Sequence, residues 1–310
     1  MSDGMGEISE REDRMRTVIV PFILFTLIWS STWFVIRFQL GVVPAQWSVT
    51  YRFLIAGVAM AVVARLQGHS LRADAELLRA ALFIGLMQFC VNFNAVYLAE
   101  RHITSGLVAT VFALLLIPNS LLAWAWLGHR VSARFLAGGA VAVAGIALLF
   151  VHEAQDHPAF GSEIGLGILL TVAGLVGASL SNVYQALGRV RRVPIPVLLA
   201  WSMAIGAAID AVVAWTMTGP PQFDPRPEYW LGLIYLALVA SVLAFSLYFP
   251  VVRRIGPGKA AWSGVLTPII AMALSTAFEG YRWSLLAAAG ALLAMGGMVI
   301  ALSGRTKAPR

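Results

Sequence analysis

The chain has 310 residues, of which 59% are hydrophobic and only 12% are charged, and its mean hydropathy is +0.81. A soluble domain typically carries about twice that share of charged side chains. The composition therefore excludes a soluble enzyme, a disordered chain and a small disulfide-stabilised scaffold. The single cysteine, Cys90, permits no disulfide within the chain. Long apolar runs without strand alternation predict an all-α polytopic membrane protein, since helices satisfy their own backbone in lipid.

Ten apolar runs follow one another along the chain, each bounded by charge, Gly or Pro. A helix needs about 20 apolar residues to cross the hydrocarbon layer, and each run comes close to that length. The connections are short, so consecutive helices should be antiparallel neighbours. We predict spans at residues 18–36, 47–64, 79–98, 103–127, 133–151, 164–187, 196–217, 229–252, 259–279 and 283–302.

The basic residues fall mainly in alternate connections. Seventeen of the 22 Lys and Arg residues lie on the side that also holds both termini, four lie on the other side, and Arg52 lies inside a span. Cytoplasmic loops carry this excess in membrane proteins. We therefore predict a multi-pass protein of the bacterial inner membrane (its plasma membrane) with both termini cytoplasmic. The net charge of +7 then reports orientation and requires no nucleic-acid partner.

An internal repeat divides the ten spans into two halves. Pro118 in the fourth span and Pro268 in the ninth are 150 positions apart. Similar motifs precede them, Arg101-His102-Ile103-x-x-Gly106 and Arg253-Arg254-Ile255-x-x-Gly258. Because each half has an odd number of spans, we predict two inverted five-helix repeats around a central cavity, a common plan of secondary transporters. The predicted division is a cytoplasmic tail 1–17, a first repeat 18–151, an outer loop 152–163, a second repeat 164–302 and a cytoplasmic tail 303–310.

Several short motifs resemble a known family. Trp29-Ser30-Ser31-Thr32-Trp33 and Arg52-Phe53-Leu54-Ile55-Ala56 are similar to signatures of the drug/metabolite transporter superfamily, EamA type. Pro118, Pro268 and Glu279 also fall where that family places them, whereas His129 stands where the first half would match Glu279. The resemblance implies ten helices in two inverted halves that export small metabolites. It further points to the aromatic amino acid exporter branch.

Two charged residues lie well inside predicted spans. Arg52 is the only Lys or Arg there, and Asp210 in the seventh span is the only acid. A charge at the helix centre is costly, by about 2.5–3.5 kcal/mol on insertion scales, so it needs a compensating partner. Arg52 could reach the interface, bond helix carbonyls, hold a substrate carboxylate or pair with Asp210, and these alternatives remain open. Asp210 is the candidate coupling residue.

Polar and aromatic side chains inside the spans are the remaining candidates for substrate binding. Polar residues can also simply bond neighbouring helices, and aromatic residues can pack against lipid. Pro118 and Pro268 each free a backbone carbonyl in mid-helix, which makes them candidate hinges as well as static kinks. The candidate substrate-binding residues, besides Arg52, are Trp33, Asn92, Tyr97, Asn119, Asn182, Gln185, Ser241, Phe245, Tyr248 and Thr267.

The function predicted from these features is that of a secondary transporter exporting small metabolites by alternating access. Amino acids are the expected substrates, with aromatic ones preferred, and other metabolites or cationic drugs are the alternative. An intramembrane enzyme is a weaker alternative, because no HExxH motif and no cluster of catalytic side chains is apparent. We expect no metal and no cofactor, and a small-molecule substrate and the lipid bilayer as partners. The sequence leaves the choice between monomer and homodimer open.

Overall fold

The computed structural model describes residues 15–128, 130–156, 161–188, 190–260 and 262–304. Every regular element in those ranges is helical, which confirms the predicted all-helical membrane fold. Among the described residues, nine helices are long and apolar enough to cross a membrane, and a tenth is apolar but shorter. In chain order they are α1 Thr17–Gln39, α2 Ala45–Leu66, α3 Ala75–Ala99, α4 Ser105–Leu127, α5 Ala133–Asp156, α6 Gly161–Tyr184, α7 Ile195–Thr218, α8 Pro227–Tyr248, α9 Ser263–Phe278 and α10 Leu285–Ser303.

The ninth helix differs most from its predicted limits. It begins at Ser263 rather than at residue 259. Helical structure continues from the end of α8 to Ala260, so residues 259 and 260 belong to that preceding helix. With 16 residues, α9 is about 24 Å long, which is less than the hydrocarbon thickness of about 30 Å. At its far end Phe278 is exposed, whereas the side chain of the next residue, Glu279, is buried among polar partners.

Local signals explain several helix starts. Pro44 precedes α2 and Pro194 precedes α7, where a proline costs no helical hydrogen bond. The Asp74 side chain accepts a bond from the Leu77 amide at 2.8 Å to cap α3. Ser284 caps α10 in the same way through the Ala287 amide at 3.0 Å.

Glycines bring α5 and α10 into backbone contact. A Cβ at Gly145 would overlap the backbone nitrogen of Ala294, and a Cβ at Gly297 would overlap that of Ala142. Small residues at such crossings let membrane helices pack closely. The glycines at this contact are seven positions apart in each helix and therefore serve packing inside the protein. They are Gly138 and Gly145 in α5, and Gly290 and Gly297 in α10.

The helices α3 and α8 each contain a widened, π-helical segment. The segments are Gly85–Asn92 in α3 and Tyr235–Leu243 in α8, and their first residues are 150 positions apart, like Pro118 and Pro268. This agreement adds a structural correspondence to the sequence repeat, while the inverted orientation of the halves stays a prediction. Such π-turns are frequent at functional sites.

The described helices run between two faces of the bundle. The terminal face is the one on which α1 begins and α10 ends, and the opposite face is the other. At the opposite face the start of α4 meets the end of α9. A Cβ at Gly106 of α4 would lie 2.7 Å from both the Ser275 hydroxyl oxygen and the Met272 sulfur of α9. This close approach joins the two halves at the opposite face.

Candidate functional site

A buried arginine forms the centre of the site. Arg52 of α2 is only 2% exposed. Its Nε and Nη2 atoms donate to the Ser241 hydroxyl of α8 at 3.4 and 3.3 Å. Its guanidinium carbon lies 4.5 Å from the ring centroid of Phe93 and 5.2 Å from that of Phe53. Arg52 therefore faces the protein interior rather than the membrane interface.

The contacts of Arg52 stabilise its charge without neutralising it. Cation–π contacts are worth about 0.5–2 kcal/mol each, and Ser241 offers a neutral hydroxyl. Within the described ranges, the Nη1 atom of Arg52 is buried and has no hydrogen-bond partner. An unsatisfied buried donor typically costs about 1–3 kcal/mol, and an incoming anion would satisfy it. The arrangement can therefore bind a carboxylate.

The π-helical segments of α3 and α8 position two of the residues that contact Arg52. Ser241 lies in the π-helical turns of α8, where its hydroxyl donates to the Leu236 carbonyl at 2.9 Å. Phe93 follows directly after the π-helical turns of α3. Phe93, Tyr97 and Glu100 then share one face of the chain at i, i+4 and i+7 spacing. Arg52 interacts electrostatically with both Tyr97 and Glu100.

Aromatic side chains of α1 and α8 form a wall towards the terminal face. The ring centroid of Trp29 is 5.6 Å from that of Phe245 and 5.0 Å from that of Tyr248. The Trp29 indole donates to the Ala240 carbonyl at 3.2 Å, which ties the wall to the widened segment. The ring centroid of Trp33, one helical turn along α1, is 5.0 Å from that of Phe112. Offset and edge-on rings of this kind suit an aromatic ligand.

A second polar group, the Glu279 cluster, lies at the opposite face and consists of Arg37, Ser105, Ser275 and Glu279. The Arg37 Nη1 atom is 3.0 Å from the Glu279 carboxylate. Glu279 also accepts bonds from the Ser105 amide at 3.1 Å, the Ser105 hydroxyl, and the Ser275 hydroxyl at 3.0 Å. The Glu279 side chain is 1% exposed, whereas that of Arg37 is 43% exposed. This cluster joins α1, α4 and α9.

Glu100 interacts electrostatically with both the Arg52 site and the Glu279 cluster. It is 5% exposed, and neither carboxyl oxygen has a hydrogen-bond partner in the part of the chain that the structure describes. Burial raises its pKa well above the usual range, and the nearby Glu279 raises it further, against the smaller effects of Arg37 and Arg52. The sequence showed Glu100 only as a group at a span end. Its spacing from Phe93 and Tyr97 was the signal that could have identified it.

The structure does not bring Arg52 and Asp210 into an ion pair. Asp210 is fully buried in α7, and its Oδ1 atom accepts a bond from the Asn94 amide group at 2.6 Å. Asn94 in turn donates to the Cys90 carbonyl at 2.9 Å. The hypothesised pair is therefore wrong for this conformation, because Asp210 faces α3 while the Arg52 side chain extends to α8.

The remaining polar candidates are dispersed. Asn92 is 3% exposed and packs against α6, where a Cβ at Gly174 would lie 3.3 Å from its side-chain oxygen. Gln185 donates to the Ser181 hydroxyl at 3.3 Å. Asn119 and Thr267 are half-buried, and Asn182 is exposed. No described contact joins this group to Arg52, so the compact site consists of Arg52, Ser241, Tyr97 and the aromatic residues around them.

The two candidate hinge prolines differ in structure. A 3₁₀ turn, Ala113–Leu115, interrupts α4 just before Pro118, whereas Pro268 lies inside a continuous α9. A cavity of about 420 Å³ borders Pro268 between α4, α9 and α10. It is largely apolar and contains none of the other candidate residues in its lining. His129, the departure from the repeat, lies outside the described residues.

Metal binding has no obvious location in the described ranges, which contain no group of three or more His, Cys, Asp or Glu residues suited to it. The chemistry that the site offers is the recognition of an anion by Arg52 beside aromatic surfaces.

Comparisons with known proteins place the chain in a family. The model of the EamA-like transporter family matches it twice, over residues 16–151 and 165–303. An "Uncharacterized inner membrane transporter YedA" of Escherichia coli (strain K12) is 30% identical, covering 86% of this chain and 85% of that protein. A "Probable amino-acid metabolite efflux pump" of Salmonella typhimurium is 24% identical, covering 91% and 93%.

Two further similarities agree with this assignment. A "Probable biotin transporter" of Pseudomonas aeruginosa is 26% identical, covering 72% of this chain and 76% of that protein. A protein of known crystal structure shares the fold with a TM-score of 0.67 at 23% identity, covering 92% of this chain and 96% of the other. The chain is thus a multi-pass membrane transporter that belongs to the EamA-like transporter family.

Proposed function

We propose that this protein is a secondary transporter that exports small carboxylate-bearing metabolites, most of all amino acids with aromatic side chains, by alternating access. The observation that carries the proposal is the buried Arg52, whose Nη1 atom has no hydrogen-bond partner among the described residues. Arg52 would hold the substrate carboxylate, and the Trp29, Phe245 and Tyr248 rings would contact its side chain. A relative described as an amino-acid metabolite efflux pump supports this substrate class.

The export direction follows from the predicted orientation. We propose that the terminal face is cytoplasmic and that the protein lies in the bacterial inner membrane, as the description of one relative supports. The Glu279 cluster and the close approach of Gly106 to α9 then close the outer side. Movement between closed and open states would use α4 and α9, with Pro118 and Pro268 as hinges.

The roles of the other predicted residues belong to the same proposal. Ser241 and Tyr97, which interact with Arg52, would contact substrate directly, as would Trp33, one helical turn from Trp29 on α1. Asn92, Asn119, Asn182, Gln185 and Thr267 would reach it only in a conformation in which the halves have moved. Asp210 is a candidate coupling carboxylate on the α3–α7 contact.

A second candidate is export of other carboxylate-bearing metabolites on the same fold. The relative described as a probable biotin transporter favours it, because biotin also carries a carboxylate. Export of cationic drugs is less compatible with an arginine at the centre of the site, since like charges repel in a medium of low dielectric constant.

Purified protein in liposomes tests the proposal. Counterflow of labelled tryptophan, phenylalanine, threonine and a purine should show flux of the two aromatic amino acids above that of empty liposomes. Robust flux of the purine alone would overturn the substrate class and leave a transporter. A covalent product without flux would instead indicate an enzyme.

A further inference from the structure

Among the described residues, the buried carboxyl of Glu100 forms no salt bridge. Arg37, whose charge acts on Glu100, is bonded to Glu279 at 3.0 Å, and Arg101, which follows Glu100, is exposed. Both oxygens of Glu100 are buried, and neither has a hydrogen-bond partner in the described ranges. The cost of burying an ionised carboxylate without hydrogen bonds is several kcal/mol, so such groups usually take up a proton instead.

Glu279 differs from Glu100 in the donors that surround it. Arg37, the Ser105 amide and hydroxyl, and the Ser275 hydroxyl all point to its two oxygens. Glu100 has none of these donors, and the nearby carboxylate of Glu279 disfavours a second negative charge on it.

The other charged and titratable groups near Glu100 do not change this assignment. On α3, the Tyr97 hydroxyl is buried. His102, in the turn after Glu100, is bonded to Glu163 of α6. Arg52 of α2 is held at Ser241 of α8, and it lies near Phe93, which precedes Glu100 by seven residues, or about 10 Å of helix.

Opening of the opposite face would change the surroundings of Glu100. The nearby bonds between Arg37, Ser105, Ser275 and Glu279 join α1, α4 and α9, and these helices must separate for a solute to pass. Separation would admit water to Glu100. A hydrated carboxyl returns towards its usual acidity and loses its proton.

We propose that Glu100 is a proton-binding site that couples opening of the opposite face to proton movement. With that face closed, Glu100 holds the proton as a neutral carboxylic acid. When it opens, the O–H bond breaks, the proton passes to the water of the opposite face, and a carboxylate remains. As that face closes, the carboxylate takes up a proton from water that enters from the terminal face through the Arg52 site, so one proton crosses the membrane in each cycle. The link to transport rests on the proposed function, whereas the proton site itself does not.

Infrared spectroscopy of the purified full chain in lipid nanodiscs tests the proton site without any substrate. Wild-type protein should show a C=O stretching band of a protonated carboxylic acid that persists at neutral pH. Glu100→Gln should lose this component, and Glu228→Gln, which removes an exposed carboxyl at the start of α8, should keep it. The same band in wild type and Glu100→Gln would overturn the proposal.

Two further variants keep the test decisive. If Glu100→Gln fails to fold, Glu100→Asp should retain the band at a shifted frequency, and an unshifted band would overturn the assignment. Asp210 is another buried carboxyl whose band must be distinguished from that of Glu100. The component assigned to Glu100 should survive in Asp210→Asn. Its loss in Asp210→Asn alone would overturn the proposal.

Transport measurements test the coupling. In liposomes with labelled tryptophan, Glu100→Gln should keep counterflow, which needs no net proton movement, and lose accumulation driven by a pH gradient by about tenfold or more. Accumulation at the wild-type level would overturn the coupling. If wild-type protein transports no solute of the panel, the proposed function fails, while the infrared result still decides whether Glu100 binds the proton.

Discussion

Replacing Arg52 by glutamine should weaken substrate binding strongly while leaving the chain folded. The substitution removes the Nη1 donor that we assign to the substrate carboxylate and also the two cation–π contacts, at 4.5 and 5.2 Å. A hydrogen bond to a charged group contributes about 1.5–3 kcal/mol, and about 1.4 kcal/mol corresponds to a factor of ten. The substrate concentration at half-maximal counterflow should therefore rise about 10-fold to 150-fold.

Lysine at the same position should give an intermediate result. Its ammonium group keeps the charge but lacks the planar, forked arrangement of donors of a guanidinium. It can therefore donate to the Ser241 hydroxyl or to the substrate carboxylate, but not to both. Arg65→Gln is the matched control, because Arg65 lies on the same helix and is exposed. The assay is counterflow of labelled tryptophan in liposomes. An unchanged half-maximal concentration in Arg52→Gln would refute the role of Arg52.

Three further predictions concern packing, the closed face and pH. Gly297→Ala should destabilise the protein by about 1–3 kcal/mol in thermal unfolding, because the new Cβ overlaps the backbone of α5. Gly296→Ala is the control and should leave the stability unchanged, because a Cβ there meets no atom within 4 Å. Arg37→Gln should speed hydrogen exchange of the first amides of α4, which bond the Glu279 cluster, and equal exchange in variant and wild type would show that the bridge does not hold this face. The raised pKa of Glu100 means that the folded state binds a proton that the unfolded chain has lost. Stability should then fall as pH rises from the usual glutamate pKa to the raised one, by up to about 1.4 kcal/mol per pH unit, and Glu100→Gln should show a smaller slope in the same melts.

The sequence carried enough information to predict most of the fold. Long apolar runs and their flanking residues locate membrane helices, because the bilayer sets both the length and the polarity of a span. It could not predict the π-helical segments of α3 and α8, which depend on packing between distant parts of the chain. The predicted start of α9 differs for another reason: the helix continues from α8 to Ala260 through Arg253 and Arg254, where the charges and glycines indicate a connection.

The candidate site was predictable only in part. Arg52 was identified because a lone basic residue inside a span requires a partner, whichever partner the fold provides. The partner itself was not predictable: Ser241 lies 189 positions away, whereas the charge-based hypothesis favoured Asp210. The burial of Glu100 was not predictable, because its position at the end of a span is compatible with exposure to water and its low exposure depends on the packing of the folded chain. Polar spacing along α6 indicated Asn182, but spacing alone does not tell which side of a helix faces the site.

Competition with tryptophan counterflow tests the central claim most directly. Indole-3-propionate keeps the ring and the carboxylate, and tryptamine keeps the ring and the amine but lacks the carboxylate. If Arg52 binds the carboxylate, indole-3-propionate should compete with labelled tryptophan in the wild type, tryptamine should not, and Arg52→Gln should lose the difference. Equal or stronger competition by tryptamine would contradict the account and favour a transporter of cationic compounds.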